Sequence, residues 1–594
     1  MSKPRSASRD KRRGVPGVLS TEGALISDDT LAGTHKRMSH AFAMRHHGII
    51  AKAFVTCHRF VASFNLSMSK QFTRREMLWL TGGAVTATAL SPTLSFAEKR
   101  ISSSSKVGAV ASDPPVVAAG EQILHEGGNA IDAAVATAFA AGVIIPSKTG
   151  PGGYGGAMTI ALANGRVTCI DFNVAAPAAA HPGMFPLDEK GNVVGRKNFH
   201  GWLAAGVPGT CAGLQMAVDR YGSKPLRELL QPAIDIAKKT TKKDQYVNFN
   251  ALAESLSTFA ARNSVESFYR GDIANQIAEA FQKHGGIVTA KDLAAYEARE
   301  LAPYELKWGD YTICTAPLGA CGLLTLEALS ILKALKWERT RRSPEEATHA
   351  KLEALRLAWK DRGDYFGDPR FTDVPVKELL SEDYAHEQAE VVRAAVKAKK
   401  ALSLKLERIE AIGTLHISAV DQQGNYASIT LTQGSSYGAQ VSVESLGIVL
   451  GQGMARFDPR PGHPNSVGPN KRPVHNMAPC VLLRNKKPVL AVGAAGGTKI
   501  PNALYDFFTH YIGRNKTMEE SLDAPRMNCI GAPNVILEKT WPKAEAEYLK
   551  KVGFKVTEGL GAIVCGARLD PKTKVAHGKT RMGNPFQETS EDTK

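Results

Sequence analysis

The pattern of apolar residues changes from helical to strand-like about two thirds of the way along the chain. Before this point, residues 210–300 and 344–395 mainly carry apolar side chains at helical spacing. The charged stretch 386–410 lacks a wide apolar face, which predicts a solvated helix that ends in an exposed linker. Directly after it, residues 414–420 and 426–432 alternate like the two strands of a β-hairpin. The sequence therefore predicts a helix-rich middle and a sheet-rich last third.

Length and charge exclude several classes of protein. The chain has 594 residues and 43% of them are hydrophobic, enough for one large or two ordinary cores. The formal net charge is +17, but residues 1–97 carry +9 of it, from 14 Lys and Arg against 5 Asp and Glu. The other +8 is spread over 497 residues, which is too dilute to predict a nucleic-acid partner. Residues 1–67 are basic and without sustained period, so we expect an unstructured leader, with the true start at Met1 or Met68.

Residues 68–97 have the features of an export signal. The pair Arg74-Arg75 precedes residues 77–90, an uncharged apolar run, and a small-residue cleavage site follows. This order is typical of a twin-arginine signal peptide. The run is shorter than the roughly 20 residues of a spanning helix, so no membrane anchor is expected after signal removal. The mature protein is expected to be periplasmic or secreted.

Cysteine spacing and a glycine-rich loop argue against metal and nucleotide cofactors. The cysteines outside the leader are odd in number and irregularly spaced, with no C-x-x-C pair, so we expect buried thiols and no metal site. Residues 150–156 match G-x-G-x-x-G, but they follow a predicted helix and open a predicted strand. A dinucleotide-binding loop has the opposite context. No cofactor is expected.

Several segments resemble, in order, the gamma-glutamyltransferase family of N-terminal-nucleophile hydrolases. Gly413-Thr414-Leu415-His416-Ile417-Ser418 matches the family's T-x-H-x-S motif at the linker-to-strand junction. The other matching segments are residues 127–134, 206–210, 468–473 and 493–497. The resemblance covers nearly everything from Lys106 onward. It implies an α+β fold, a four-layer αββα sandwich, made from one precursor that is cut into a helix-rich large subunit (98–413) and a sheet-rich small subunit (414–594).

The chemistry of a threonine nucleophile explains why the precursor must be cut. A Thr hydroxyl is a poor nucleophile unless a base takes its proton, and an α-amino group titrates at about 7.7 to 8.0, close to working pH. Thr414 supplies both groups only if the Gly413–Thr414 bond is cleaved after folding. The resemblance further implies that Thr432 hydrogen-bonds the nucleophile and that the N–H groups of Gly496 and Gly497 form the oxyanion hole.

The residues that would recognise a γ-glutamyl group differ from the family pattern. Asn173 stands where the family has an Arg that binds the α-carboxylate, and Arg456 stands where it has an Asp that binds the ammonium. His475-Asn476 replaces a Ser-Ser pair that also contacts the carboxylate. An Arg about 4 Å from an ammonium would repel it by roughly 4 kcal/mol at an effective dielectric of about 20. We therefore expect an anionic or carbonyl-rich acyl group at Arg456, unless this side chain simply points to solvent.

Three functions are consistent with these residues. The leading hypothesis is an exported, self-cleaving amidohydrolase or acyltransferase that breaks an amide of a small molecule or peptide through a threonyl ester. Its acyl group differs from γ-glutamyl in this hypothesis. The first alternative is a true glutathione hydrolase or γ-glutamyl transferase. The second is a secreted binding protein without catalytic activity on the same scaffold.

Overall fold

Two β-sheets packed face to face form the centre of the protein, and helices cover both outer faces. The structure is a computed structural model that describes residues 100–337, 342–404 and 414–582. These residues belong to one unit, Phe96–Lys594. The predicted four-layer α+β sandwich is confirmed. The expected leader (1–67), the expected signal peptide (68–97) and Gly413 lie outside the described residues.

The strands of the described residues follow in chain order. They are β1 (Arg100–Ser105), β2 (Gly108–Ala111), β3 (Gly155–Ala161), β4 (Val167–Asp171), β5 (Arg299–Leu301), β6 (Tyr304–Trp308), β7 (Tyr311–Thr315), β8 (Leu415–Asp421), β9 (Tyr426–Thr432), β10 (Ser442–Val443), β11 (Ile448–Val449), β12 (Cys480–Arg484), β13 (Lys487–Ala495), β14 (Met527–Asn528), β15 (Asn534–Leu537), β16 (Lys555–Glu558), β17 (Ile563–Leu569) and β18 (Ala576–Arg581).

The α-helices of the described residues are concentrated before residue 400, as the sequence predicts. They are α1 (Val117–His125), α2 (Ala130–Ile144), α3 (Thr210–Tyr221), α4 (Leu226–Lys239), α5 (Phe249–Arg262), α6 (Glu266–Tyr269), α7 (Asp272–Lys283), α8 (Ala290–Ala294), α9 (Gly322–Ala334), α10 (Pro344–Tyr365), α11 (Val376–Leu379), α12 (Glu382–Ala398), α13 (Lys499–Phe508), α14 (Met518–Asp523) and α15 (Lys543–Lys551). Within the described ranges, no helix is both long and apolar enough to cross a membrane.

The predicted hairpin lies in the middle of an antiparallel six-stranded sheet. The strand order is β2-β8-β9-β3-β4-β5, so the hairpin β8-β9 is inserted between strands from the first part of the chain. The second sheet has the order β1-β18-β17-β13-β12-β7-β6 and is also built from both parts. The proposed boundary at residues 413 and 414 therefore divides both sheets, which means that the two pieces have to fold together before any cut.

Apolar faces hold each sheet against its helices. Helices α1 to α7 pack with outward residues of β8 and β9, such as Leu415, Ile417 and Leu431, in one large core. Helices α9, α10, α12 and α13 form a second core with the other sheet. The layer between the sheets is different because it contains small and hydroxyl side chains. For example, Ser428 Oγ donates to the Val492 carbonyl across the sheets (3.1 Å).

The glycine-rich loop has the context that the sequence predicts. Helix α2 begins at the capping box of Asn129 and Asp132 and ends at Ile144, and the loop then opens strand β3. A Cβ on Gly156 would lie 2.0 Å from the Thr430 carbonyl oxygen of β9, so a side chain has no room there. The glycines of this loop thus serve close strand packing. The cysteines of the described residues are buried free thiols, as expected: Cys169, Cys211, Cys314, Cys321, Cys480, Cys529 and Cys565.

Candidate active site

The register of the β8-β9 hairpin places Thr414 opposite Thr432. Leu415 pairs with Leu431, and the pairing continues regularly to Val420 and Tyr426. Thr414 precedes Leu415 and Thr432 follows Leu431, so the two threonines are the next facing pair. Both are buried, with exposed fractions of 6% and 0%. The structure thus brings together the predicted nucleophile and its predicted hydrogen-bonding partner.

Thr432 is fixed by its neighbours on both sides. Its Oγ1 accepts a hydrogen bond from the Gly434 N–H (2.8 Å), and its backbone pairs with Gly155 of β3. A hydroxyl oxygen that accepts one hydrogen bond still has its own proton to donate. Thr432 can therefore donate toward the nucleophile without losing its anchor.

His416 is a neutral structural residue on the same strand face as Thr414. Its Nδ1 lies 2.8 Å from Thr430 Oγ1 and its Nε2 lies 2.9 Å from Ser418 Oγ. Burial lowers the pKa of His416 to about 3. The ring packs on Gly493 of β13, where a Cβ would lie 2.1 Å from its Cε1. These contacts support our sequence interpretation, which gives His416 no role in proton transfer.

Gly496 and Gly497 form the turn between β13 and α13. Both have positive φ angles (140° and 62°), a conformation that side chains disfavour. Their carbonyl groups accept from Lys499 and Ile500 at the start of α13. The N-terminus of a helix carries partial positive charge and favours a developing anion. Strand β13 crosses β8 where Gly493 meets His416. The turn of Gly496 and Gly497 therefore directly follows the strand that packs on β8.

Asn173 is completely buried just after β4. Its Nδ2 donates to the Pro473 carbonyl (2.6 Å), and its backbone N–H donates to Asp171 Oδ1 (2.9 Å). The backbone carbonyl accepts from the Tyr296 hydroxyl (2.7 Å). Asn173 Oδ1 has no hydrogen-bond partner among the described residues. An asparagine held in this way offers an acceptor and no positive charge, unlike the Arg of the family motif.

An ion-pair cluster that the sequence patterns did not predict lies next to Asn173. Arg472 Nη1 donates to Asp171 Oδ2 (2.8 Å), and its guanidinium lies 5.1 Å from the centre of the Tyr296 ring. Burial alone would raise the pKa of Asp171, but Arg472 and Arg299 outweigh it and hold that pKa at about 2. Arg472 lies in the family-like segment 468–473, so part of the signal was present. No local pattern indicates that it pairs with Asp171, which is 301 residues away.

His475 and Asn476 lie beside this cluster. The His475 N–H donates to the Gly319 carbonyl (2.9 Å), and a Cβ on Gly319 would lie 3.3 Å from Asn173 Nδ2. His475 Nδ1 accepts from the Met477 N–H (3.2 Å), so a neutral ring carries its proton on Nε2. Burial, opposed by Asp171 and assisted by the positive charges of Arg362 and Arg456, lowers the pKa of His475 to about 3. His475 is therefore an uncharged donor at neutral pH.

Arg362 orients Asn476 from helix α10. Its Nη2 donates to Asn476 Oδ1 (2.9 Å), and its guanidinium lies 5.3 Å from the centre of the Trp359 ring. Since arginine has no acceptor, the Asn476 atom that faces it must be the oxygen. Arg362 is a second residue that was missed from the sequence, because nothing in the amphipathic pattern of α10 distinguishes it.

Arg456 is half-buried and belongs to this group. It ends the short 3-10 helix Gly453–Arg456, and its carbonyl accepts from Asn465 Nδ2 (2.8 Å). Burial raises the pKa of Tyr154 to about 12 while the positive charge of Arg456 acts in the opposite direction. Arg456 also lowers the pKa of His475. The structure therefore places the four residues predicted for substrate binding around one cationic region, with a guanidinium where the family motif has a carboxylate.

Comparison with known proteins points to one family. The family model described as gamma-glutamyltranspeptidase matches residues 117–242 and 237–584. The glutathione hydrolase proenzyme of Pseudomonas sp. (strain A14) is 34% identical over 460 residues, which cover 69% of this chain and 79% of that protein. The acylase ACY 1 proenzyme of Pseudomonas sp. (strain SE83) is 31% identical over 499 residues, which cover 77% of this chain and 88% of that protein.

Solved structures agree with this similarity. The crystal structure of cephalosporin acylase from Bacillus halodurans matches with a TM-score of 0.71 and 28% sequence identity. The match covers 82% of this chain and 96% of that chain. The similar proteins thus include both glutathione hydrolases and acylases.

Proposed function

The chain belongs to the gamma-glutamyltranspeptidase family and is an autoprocessed amide hydrolase or acyltransferase, and from this premise we propose that Thr414 is its nucleophile. The observation that carries the proposal is the register that sets Thr414 opposite Thr432 at the start of the central hairpin. In this proposal, cleavage of the Gly413–Thr414 bond releases the α-amino group that serves as the base. Residues 98–413 and 414–594 are then the large and small subunits.

The proposed reaction has two halves. The Thr414 amine takes the proton of the Thr414 hydroxyl as Oγ attacks the amide carbon, and the N–H groups of Gly496 and Gly497 stabilise the oxyanion. The protonated Thr414 amine gives this proton to the leaving amine as the carbon–nitrogen bond breaks, which leaves a threonyl ester. Water or an acceptor amine then attacks the ester carbon and loses a proton to the Thr414 amine. The bond from this carbon to Thr414 Oγ breaks, the acid or the new amide is released, and Oγ regains its proton. Thr432 holds the nucleophile in place throughout.

The acyl group is proposed to be a dicarboxylic one rather than γ-glutamyl. The support is Arg456, whose positive charge is half-buried beside neutral His475 and Tyr154. A carboxylate at the far end of the acyl chain would be attracted to this guanidinium, whereas the ammonium of a γ-glutamyl group would be repelled. The relative named as an acylase is consistent with a different acyl group.

Parallel assays of two anilides test this specificity. Processed enzyme is given glutaryl and γ-glutamyl anilides of the same amine, and kcat/KM is measured for each. We expect at least about tenfold preference for the glutaryl compound, since the two compounds differ by the α-ammonium group, and its repulsion by Arg456 should cost at least about 1.4 kcal/mol. A clear preference for the γ-glutamyl compound would contradict the proposal and favour the second candidate, a true glutathione hydrolase, which the name of the Pseudomonas relative supports.

Processing and export are tested separately. With 63.7 kDa over 594 residues, cleavage at residue 414 after signal removal gives bands of about 34 and about 19 kDa on a denaturing gel. N-terminal sequencing of the smaller band is expected to read Thr-Leu-His-Ile-Ser. For export, the twin-arginine signal is supported by Arg74-Arg75, and replacing both with Lys is expected to keep the protein out of the periplasm.

A further inference from the structure

A buried ion pair lies outside the residues assigned to catalysis above. Lys148 Nζ forms a salt bridge with Asp113 Oδ2, and the side chains are only 12% and 6% exposed. Neither residue belongs to a strand or an α-helix, since Lys148 follows α2 and Asp113 follows β2. Burial of this pair costs free energy, because both charges lose their hydration. Its presence therefore suggests a role beyond stability.

Each partner is attached to a strand that flanks β8. On one side, Ser112 Oγ donates to the His416 carbonyl of β8 (2.8 Å), which fixes the residue next to Asp113. On the other side, the Gln433 N–H donates to the Lys148 carbonyl (2.7 Å) just after β9 ends at Thr432.

The order of the strands determines which strand lies between Lys148 and Asp113. Strand β8 lies between β2 and β9, and neighbouring strands are about 4.8 Å apart, so β2 and β9 are separated by about 10 Å. A side chain anchored beside the end of β9 that reaches Asp113 at the end of β2 has to pass the start of β8. Thr414 immediately precedes that start, which is Leu415. Cleavage would therefore create the α-amino group next to this ion pair.

We propose that Lys148 is a positioning residue that keeps the α-amino group of Thr414 uncharged, so that it can accept the hydroxyl proton. This inference rests on the proposed function, because it concerns the base of that reaction. An α-amino group ordinarily titrates at about 7.7 to 8.0, and a like charge within about 4–6 Å disfavours its protonated form. Asp113 holds the ammonium of Lys148 in place and weakens its effect.

Other charged and titratable groups near the pair come from both sheets. They are His416 of β8, whose carbonyl accepts from Ser112 beside Asp113, and Cys565 of β17, which interacts electrostatically with Asp113, Lys148 and Arg526. On β18, Thr580 donates to the Ser112 carbonyl, and the next residue, Arg581, is paired with Glu538. Burial keeps the first two uncharged, since it lowers the pKa of His416 to about 3 and raises that of Cys565 to about 12. These groups are the same in every variant below, so differences between variants report on Lys148 and Asp113.

The pH dependence of kcat/KM in processed enzyme tests the proposal. In Lys148→Met, we expect the acidic midpoint to move up by about one pH unit, which is about a tenfold loss on the acidic side. In Asp113→Asn, the carboxylate that offsets the charge of Lys148 is removed, so the midpoint is expected to move down. Lys148→Arg keeps the charge and should retain the midpoint. Lys516→Met, which removes an exposed ion-paired lysine, is the matched control.

Opposite shifts in the two variants would support the proposal, and unchanged midpoints in both would overturn it. If Lys148→Met is not processed, Asp113→Asn decides alone, since an unchanged or raised midpoint contradicts the proposal. Failure of the proposed function would look different. In that case Thr414→Ala would retain turnover, whatever the pH profiles show.

Discussion

The proposed nucleophile region and the proposed acyl-binding region are built in different ways. Thr414 and Thr432 face each other at one end of the hairpin, where the register of β8 and β9 fixes both backbones. The proposed acyl-binding residues lie in segments between strands and helices, and side-chain contacts such as the one from Arg362 to Asn476 hold them. The first region agrees with the family motif, whereas the second departs from it. A change of acyl group thus needs only new side chains on loops, while a change of nucleophile would disturb the sheet.

Substitution of Thr414 is expected to have the largest effect on activity. We expect Thr414→Ala to abolish both processing and turnover, with a loss of at least about a thousandfold in kcat, because it removes the nucleophile. Gel analysis and anilide hydrolysis measure the two effects. Thr573→Ala, in an exposed turn near the C-terminus, is the control. A variant that is uncut but fully active would show that the assigned nucleophile is wrong.

Thr432 gives the next largest effect. Thr432→Val keeps the shape but removes the hydroxyl, and hydrogen bonds to charged or reacting groups contribute about 1.5–3 kcal/mol. We expect kcat/KM to fall by about 10- to 100-fold with both anilides alike, and Thr432→Ser should restore most of it. Unequal losses for the two substrates would mean that the residue also serves specificity.

Substitution of Arg456 tests the proposed acyl-binding region separately from the proposed nucleophile. In Arg456→Gln, we expect about a tenfold loss of kcat/KM for the glutaryl anilide, mainly through KM, because a charge-assisted contact is lost. Processing and the γ-glutamyl reaction should not decrease. Arg460→Gln removes a nearby exposed arginine and serves as the control. Equal loss for both substrates would contradict the assignment of Arg456 to specificity.

The last prediction concerns the free energy of unfolding and the ion pair of Asp171 and Arg472, which lies next to the proposed acyl-binding residues. The pKa of Asp171 is held at about 2, below its ordinary 3.8, so its contribution is fully present above about pH 4 and lost as the pH falls toward 2. We expect Asp171→Asn to lower the free energy of unfolding by about 2 kcal/mol at pH 7, with the gap closing in acid. Urea unfolding of the processed enzyme at several pH values measures this, with surface variant Asp310→Asn as control. If the difference in free energy of unfolding between the wild-type protein and Asp171→Asn did not change with pH, the ion pair would be excluded as its cause.

Much of the fold was predictable because it depends on local patterns. The strand alternation at residues 414–420 and 426–432 was readable, and strands β8 and β9 occur where it predicts them. The role of Arg472 was not, because its partner Asp171 is 301 residues away in the sequence. The same applies to Lys148, whose partner Asp113 is 35 residues away in the sequence.

By itself, the sequence determined the hairpin that begins at Thr414, the helix-rich part before it and the sheet-rich part after it. These features follow from apolar periodicity and turn residues, which act between near neighbours along the chain. Only the tertiary structure decided that both sheets contain strands from either side of Thr414 and that Lys148 and Asp113 form a buried ion pair. Burial and charge pairing depend on which distant residues are brought together in space, and no local pattern records that.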